Sequence, residues 1–174
     1  MSITKQALVP SDRSYSISRM SEHDLLEVVQ IEETSGLSRW GWAAYYAELQ
    51  GAHAPLMLVA RLNATGLANG GDLLAGYIVA RLGAGELHIN NFAVRENHRR
   101  QGIGCELLRS ILSQGMARGV SSAFLELRSG NVAALALYEK FGFQVTARRK
   151  RYYSDPTEDA LVMTCHFGQR LDPQ

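Results

Sequence analysis

Cysteine is scarce in this chain: two among 174 residues, Cys105 and Cys165. Their spacing fits neither a paired metal-ligand pattern nor a secreted disulfide framework, so both are expected as reduced thiols. The five histidines, His23, His53, His88, His98 and His166, form no H-E-x-x-H or other two-histidine ligand pattern, and no metal is expected. An excess of either charge is also missing. Lys plus Arg number 18 against 17 Asp plus Glu, which argues against a broad polyanion-binding surface and a nucleic-acid partner. Any phosphate recognition must then be local and led by backbone groups. No apolar run approaches the ~18 residues of a membrane span, and the opening M-S-I-T-K-Q-A-L-V-P-S-D-R lacks the apolar centre of a secretory signal. A cytoplasmic protein with no membrane partner is expected.

What is present suffices for one sizeable core. Hydrophobic residues make up 46% of the chain and charged residues 20%, and a domain of this size buries roughly 70% of its unfolded surface. Residues 1–13 are polar and patternless and read as a flexible lead-in, 14–168 as the domain, and 169–174 as a tail. Tyr15 and Ile17 alternate with serines as in a short strand. Ser21 followed by Asp24 resembles a capping box ahead of a helix carrying Leu25, Val28, Val29 and Glu32. A second helical stretch, Trp40 to Leu49, is rich in aromatics. After Pro55, Leu56 to Ala60, Leu73 to Leu82 and Glu86 to Val94 read as an antiparallel meander, its first loop dotted with glycine.

The second half changes rhythm. A helical stripe (Ile103, Leu107, Leu108, Ile111, Leu112) is followed by a strand at Ala123 to Leu127, a helix at Ala133 to Phe141 closed by Gly142, and a strand from Phe143. A last strand covers roughly Ala160 to Phe167. Strand, helix, strand, helix, strand demands parallel pairing. The expected fold is a mixed α/β sheet, antiparallel in its N-terminal half and βαβ-like in its C-terminal half, with helices on both faces.

The most informative run is F-A-V-R-E-N-H-R-R-Q-G-I-G-C-E-L-L, residues 92–108, in which a strand ends, a polar loop turns and a helix starts within two glycines. Gly102 and Gly104 carry no Cβ, so the unpartnered N–H groups of the first helical turn can approach an anion closely. The helix dipole adds ~0.3–1 kcal/mol for an exposed anion, and Arg95, His98, Arg99 and Arg100 add positive charge. An isolated G-x-G only permits a tight turn. The dinucleotide fingerprint fails at Leu107, and no G-K-[ST] follows for a triphosphate loop.

The run R-R-Q-G-I-G resembles the Q/R-x-x-G-x-G/A acetyl-coenzyme A motif of the GNAT family of N-acetyltransferases, with Arg99, Gly102 and Gly104 at its fixed positions. L-E-L-R-S-G-N-V-A-A-L-A-L-Y-E-K-F-G-F, residues 125–143, is similar to the second half of that fold. R-R-K-R-Y-Y with E-D-A-L-V-M resembles the bacterial RimI branch, which acetylates the N-terminal alanine of a small-subunit ribosomal protein. The resemblance spans about residues 15–167. It implies the GNAT fold, acetyl-CoA as cosubstrate and a protein N-terminus as acceptor, with no covalent enzyme intermediate. It also implies cofactor contacts along Phe92, Ala93 and Val94, through Arg99, Arg100, Gln101, Gly102, Ile103, Gly104 and Cys105, and at Asn131.

Alternation along 124–128 sets Phe124, Glu126 and Arg128 on one face and Ala123, Leu125 and Leu127 on the other. A strand in a βαβ unit is usually covered on both faces, so a mid-strand carboxylate lines a cleft or is costly. By the resemblance Glu126 is the general base and Tyr138 the general acid for the departing thiolate. Packing alone would also account for Tyr138, and capping of its helix for Asn131. Cys105 reads first as a packing residue, with a helix-activated thiol as the alternative. The same alternation places His88, Asn90 and Phe92 on one face and Asn91 on the other, and none of the three polar residues is assigned a role. Trp40, Tyr152 and Tyr153 are candidate acceptor contacts, as is the glycine-rich loop at 63–72. Acetylation of lysine or of a small amine, and a noncatalytic acyl-CoA-binding module, stand as alternatives.

Overall fold

The computed structural model describes residues 14–37, 39–51, 55–63 and 73–168. The lead-in at 1–13, the glycine-rich loop beyond Asn63 and the tail at 169–174 lie outside the described residues. Elements follow in the order β1 (Tyr15–Arg19), α1 (Leu25–Thr34), α2 (Gly41–Leu49), β2 (Leu56–Leu62), β3 (Leu74–Gly83), β4 (Glu86–Val94), α3 (Ile103–Ala117), β5 (Ser122–Arg128), α4 (Val132–Lys140), β6 (Gln144–Ser154) and β7 (Thr157–His166). Among the described residues these strands form one sheet in the order β1-β2-β3-β4-β5-β7-β6. At the entry to α1, the Asp24 carboxylate accepts the Ser21 N–H at 2.8 Å, the backward reach of a capping box.

The antiparallel first half is as expected, and β3 turns into β4 through Ala84 and Gly85, both at positive φ (50° and 79°), as a two-residue type I′ hairpin requires. The second half is mixed as expected, with β4 and β5 parallel, and departs only in that β5 and β6 are not neighbours. Among the described residues no other pair of strands is parallel; β7 inserts between β5 and β6 and is antiparallel to both. β5-α4-β6 therefore keeps the direction of a βαβ unit without adjacent parallel strands, because the return strand fills the gap.

Helices cover both faces. The α3 stripe, Ile103, Leu107, Leu108, Ile111 and Leu112, is buried against Ile78, Ala80, Leu87, Ile89 and Leu125, with α4 beside it through Leu135, Leu137 and Tyr138. Each such fully buried aliphatic side chain contributes about 1.5–3 kcal/mol of transfer free energy. On the opposite face Leu25, Val28, Ile31 and Tyr45 of α1 and α2 pack on Met57, Val59, Tyr77, Val79 and Ala93.

Candidate active site

The site begins with a change of register in β4. Val79 and Ala80 of β3 face Asn91 and Ile89, so Asn90 is an extra residue, a β-bulge. A bulge bends its strand and shifts the alternation by one. Ile89 therefore packs toward α3, and so does Phe92, while Asn91 and Ala93 face α1 and α2. The expectation that His88 and Phe92 share a face is thus wrong, since the bulge lies between them. His88 instead stacks on Phe124 of β5, ring centroids 4.2 Å apart.

Beyond the bulge β4 and β5 part. Their ladder runs from Glu86–Ser122 to Ile89–Leu125 and stops, although β4 stays paired with β3 to Val94 and β5 with β7 to Arg128. A cleft of about 880 Å³ opens between them. The inner edges of Phe92–Val94 and Glu126–Arg128 thus offer main-chain groups to an extended, amide-bearing ligand, which could pair there as an added strand would.

At one end of the cleft stands the turn into α3. Arg100 (φ 63°) and Gly102 (φ 81°) both adopt the left-handed region, which costs an L-residue such as Arg100 roughly 1–2 kcal/mol, and Arg99 Nε donates to the Val94 carbonyl at 3.0 Å. A Cβ on Gly104 would sit 3.5 Å from Leu137 Cδ2 and from Phe92 Cζ, an ordinary contact. Packing thus admits alanine, which would favour the helix by about 1 kcal/mol; glycine keeps the space over the first turn open. These features fit the pyrophosphate of coenzyme A, which needs free N–H donors, close approach and positive potential.

On the cleft floor Glu126 faces away from the buried Ala123, Leu125 and Leu127, as the alternation predicts. Arg149 Nη1 lies 2.9 Å from Glu126 Oε1. Tyr152, whose side chain is exposed, has its phenol pushed up first by its hydrogen bond to Glu126. His88 is held below the ordinary imidazole value, chiefly by burial and next by Arg81, with Glu126 acting in the opposite sense. Asn90 Nδ2 lies 3.1 Å from His88 Nδ1, and the Asn90 side-chain Oδ1 is buried with no hydrogen-bond partner among the described residues, beside the cleft. Tyr138 lines the cleft from α4, packed on Phe92 and Phe143. Burial pushes its phenol well above the usual range, with a smaller contribution from Tyr153, so it is neutral.

The cleft brings together Trp40, Phe92, Ala93, Val94, Arg99, Arg100, Gly102, Gly104, Cys105, Glu126, Asn131, Tyr138 and Tyr153. Three candidates stand apart. Gln101 turns its amide back to the Asn97 carbonyl, Ile103 is buried in the core at 1% exposure and has only its backbone to offer, and Tyr152 reaches Glu126 from outside the cleft wall. Asn131 Oδ1 accepts the Ala134 N–H at 3.1 Å and so caps α4. Its turn is clasped by Glu158, which accepts the Gly130 N–H at 2.5 Å and pairs with Arg128, while the Arg128 guanidinium lies 4.2 Å over the Tyr153 ring. Sequence reasoning missed this clasp, and it missed Asn90, which only a register can reveal. It also overlooked the buried carboxylate of Glu32.

The model of the acetyltransferase (GNAT) family matches residues 25–143. The chain belongs to this family. Its GNAT relatives include the ribosomal protein bS18-alanine N-acetyltransferase of Escherichia coli K12, 37% identical over 92 residues that cover 52% of this chain and 62% of the relative; that match spans less than two thirds of the relative's length. The corresponding Salmonella typhimurium protein is 31% identical over 152 residues, 85% of this chain and 95% of the relative. The crystal structure of the ribosomal-protein-S18-alanine N-acetyltransferase from Escherichia coli superposes with a TM-score of 0.74 at 28% identity, covering 90% of this chain and 96% of that one. The splayed strands and the glycine turn are therefore features of a GNAT fold in this chain.

Proposed function

We propose that the protein is a cytosolic N-acetyltransferase that moves an acetyl group from acetyl-CoA directly to a protein N-terminal α-amine, with alanine-first ends of a small-subunit ribosomal protein as the preferred acceptor. The observation that carries this reading is Glu126 on the floor of the cleft where β4 and β5 part. The 31% identity to the Salmonella typhimurium bS18-alanine N-acetyltransferase along 95% of that relative supports the acceptor class.

When bound, acetyl-CoA supplies an acyl group already activated as a thioester. The N–H groups at the start of α3 would hold the pyrophosphate, and the main chain of Phe92–Val94 would align the pantetheine arm. Glu126 takes the proton that the amine must lose, directly or through water. An α-amine (pKa about 7.7–8.0) is easier to deprotonate than lysine (about 10.4) by roughly 2.5 units, or ~3.4 kcal/mol at neutral pH. Tyr138 stays neutral and donates from its hydroxyl toward the departing sulfur. A phenol shifted upward is a weaker acid than an ordinary thiol (about 8.5), so its part is hydrogen-bond donation more than complete proton transfer.

A panel of peptides tests the assignment: one with a free N-terminal alanine and no lysine, one with a blocked N-terminus and an internal lysine, and free small amines. Mass spectrometry is expected to find the acetyl group on the alanine amine of the first. Equal or better turnover of the lysine peptide or the small amines would contradict the acceptor class, and coenzyme A uptake with no turnover at all would leave a binding module.

A further inference from the structure

Glu32, on α1, is a carboxylate at 1% exposure, and four hydrogen bonds converge on it. It accepts the backbone N–H of Trp40 at 2.8 Å and of Gly41 at 3.0 Å, the Tyr45 hydroxyl at 2.7 Å and the Asn91 Nδ2 at 3.2 Å. A buried charge is tolerated only when its lone pairs are satisfied in this way. The first two partners are at the N-terminus of α2, which has no acidic residue in its own first turn and no side-chain cap from Trp40. Glu32 therefore caps α2 from a neighbouring helix and meets its dipole with a negative charge.

The other two partners lead to the opposite wall. Asn91 Nδ2 also donates to the Tyr45 hydroxyl at 2.8 Å, and the Tyr45 and Tyr77 hydroxyls are 2.8 Å apart. Asn91 directly follows the bulged Asn90, whose buried side-chain Oδ1 lies by the cleft. One carboxylate thus joins the α1–α2 connection, which lines the cleft through Gly36, Leu37 and Trp40, to the strand whose bulge opens it. Glu126 lines the same cleft.

We infer that Glu32 is a positioning residue for the acceptor: by fixing the Trp40 segment against the β4 bulge, it sets the width of the pocket that receives the amine-bearing chain end, while the coenzyme A end of the cleft is independent of it. This rests on the acyl-transfer reading above. A residue of purely structural importance would lower the fraction of folded enzyme, reducing the apparent kcat and leaving both KM values unchanged. A positioning residue moves the acceptor KM alone.

The test is steady-state kinetics of Glu32→Gln with an alanine-first peptide and acetyl-CoA, together with calorimetric titration of coenzyme A. Glutamine turns one acceptor oxygen into a donor facing N–H and O–H groups. The expected result is a rise of roughly tenfold or more in the peptide KM, the scale of one lost charge-assisted hydrogen bond, with the acetyl-CoA KM and coenzyme A affinity unchanged within about threefold. An unchanged peptide KM, or equal losses for both cosubstrates, overturns the proposal. Should Glu32→Gln fail to fold, Tyr45→Phe removes one of the four bonds and keeps the carboxylate; a several-fold rise in the peptide KM is expected, and no change overturns the proposal. If the unaltered enzyme binds coenzyme A yet acetylates no peptide amine, the acyl-transfer reading falls and this inference with it. Turnover by the unaltered enzyme with an unmoved KM in the variants removes this inference alone.

Discussion

Replacing Glu126 by glutamine separates chemistry from stability. Among the described residues the carboxylate has one charged partner at ion-pair distance, Arg149, whose side chain is 53% exposed. A pair so open to solvent is worth ~0–1 kcal/mol, and in a domain of this length 1 kcal/mol moves the melting temperature by about 2–4 °C. Glutamine has nearly the same shape, and Leu125 and Leu127, which hold the strand in the core, point the other way. The fold and coenzyme A binding are therefore expected to persist, with a melting temperature lowered by no more than ~4 °C. Turnover should respond very differently. A positioned general base contributes about 10²–10⁴-fold, so kcat on an alanine-first peptide at neutral pH should fall by roughly that factor, while the peptide KM changes little. Part of the loss should be recovered at high pH, where the amine deprotonates in solution. The assay is continuous release of free thiol from acetyl-CoA, with calorimetry of coenzyme A as the control. Undiminished turnover by folded, coenzyme-binding Glu126→Gln would refute the assignment of the base.

Other consequences are as specific. Gly102→Ala and Gly104→Ala should move stability in opposite directions: the first forces a Cβ into φ 81°, costing ~1–2 kcal/mol, and the second gains about 1 kcal/mol of helix propensity with its Cβ at ordinary contact distance. Thermal unfolding that shifts both the same way would contradict this account of the turn. Tyr138→Phe should preserve the packing on Phe92 and Phe143 and reduce kcat without raising the melting temperature's sensitivity to coenzyme A; unchanged kcat would make Tyr138 a packing residue only. Because the folded protein holds His88 below its ordinary value, the stability it contributes is complete above about pH 6.5 and is lost as the pH falls through the depressed value. The melting temperature should decline from about pH 7 to pH 5, and His88→Gln should flatten part of that decline; an identical profile in the variant would refute it.

Much of this was legible along the chain, and the failures have physical causes. Period-two alternation placed Glu126 opposite Leu125 and Leu127 because both are in one strand without an irregularity. The same rule failed four residues past His88, since the Asn90 bulge is a property of the pairing with β3 and has no glycine or proline to signal it. The glycine turn was readable because G-I-G imposes its backbone locally. The insertion of β7 between β5 and β6 was not, as it depends on which edge a return strand finds free. Glu32 looked like one polar position on an amphipathic helix; its partners are 8 to 59 residues away, and only tertiary structure brings them to it.

The proposed acetyl transfer requires the turn ahead of α3 to hold the pyrophosphate of coenzyme A through main-chain N–H groups. Isothermal titration of purified protein with coenzyme A measures this directly. Saturable uptake with micromolar affinity is predicted for the unaltered chain, and its loss in folded Gly102→Val, where a branched side chain would project into the turn. No heat at millimolar coenzyme A, with native unfolding behaviour intact, would contradict it.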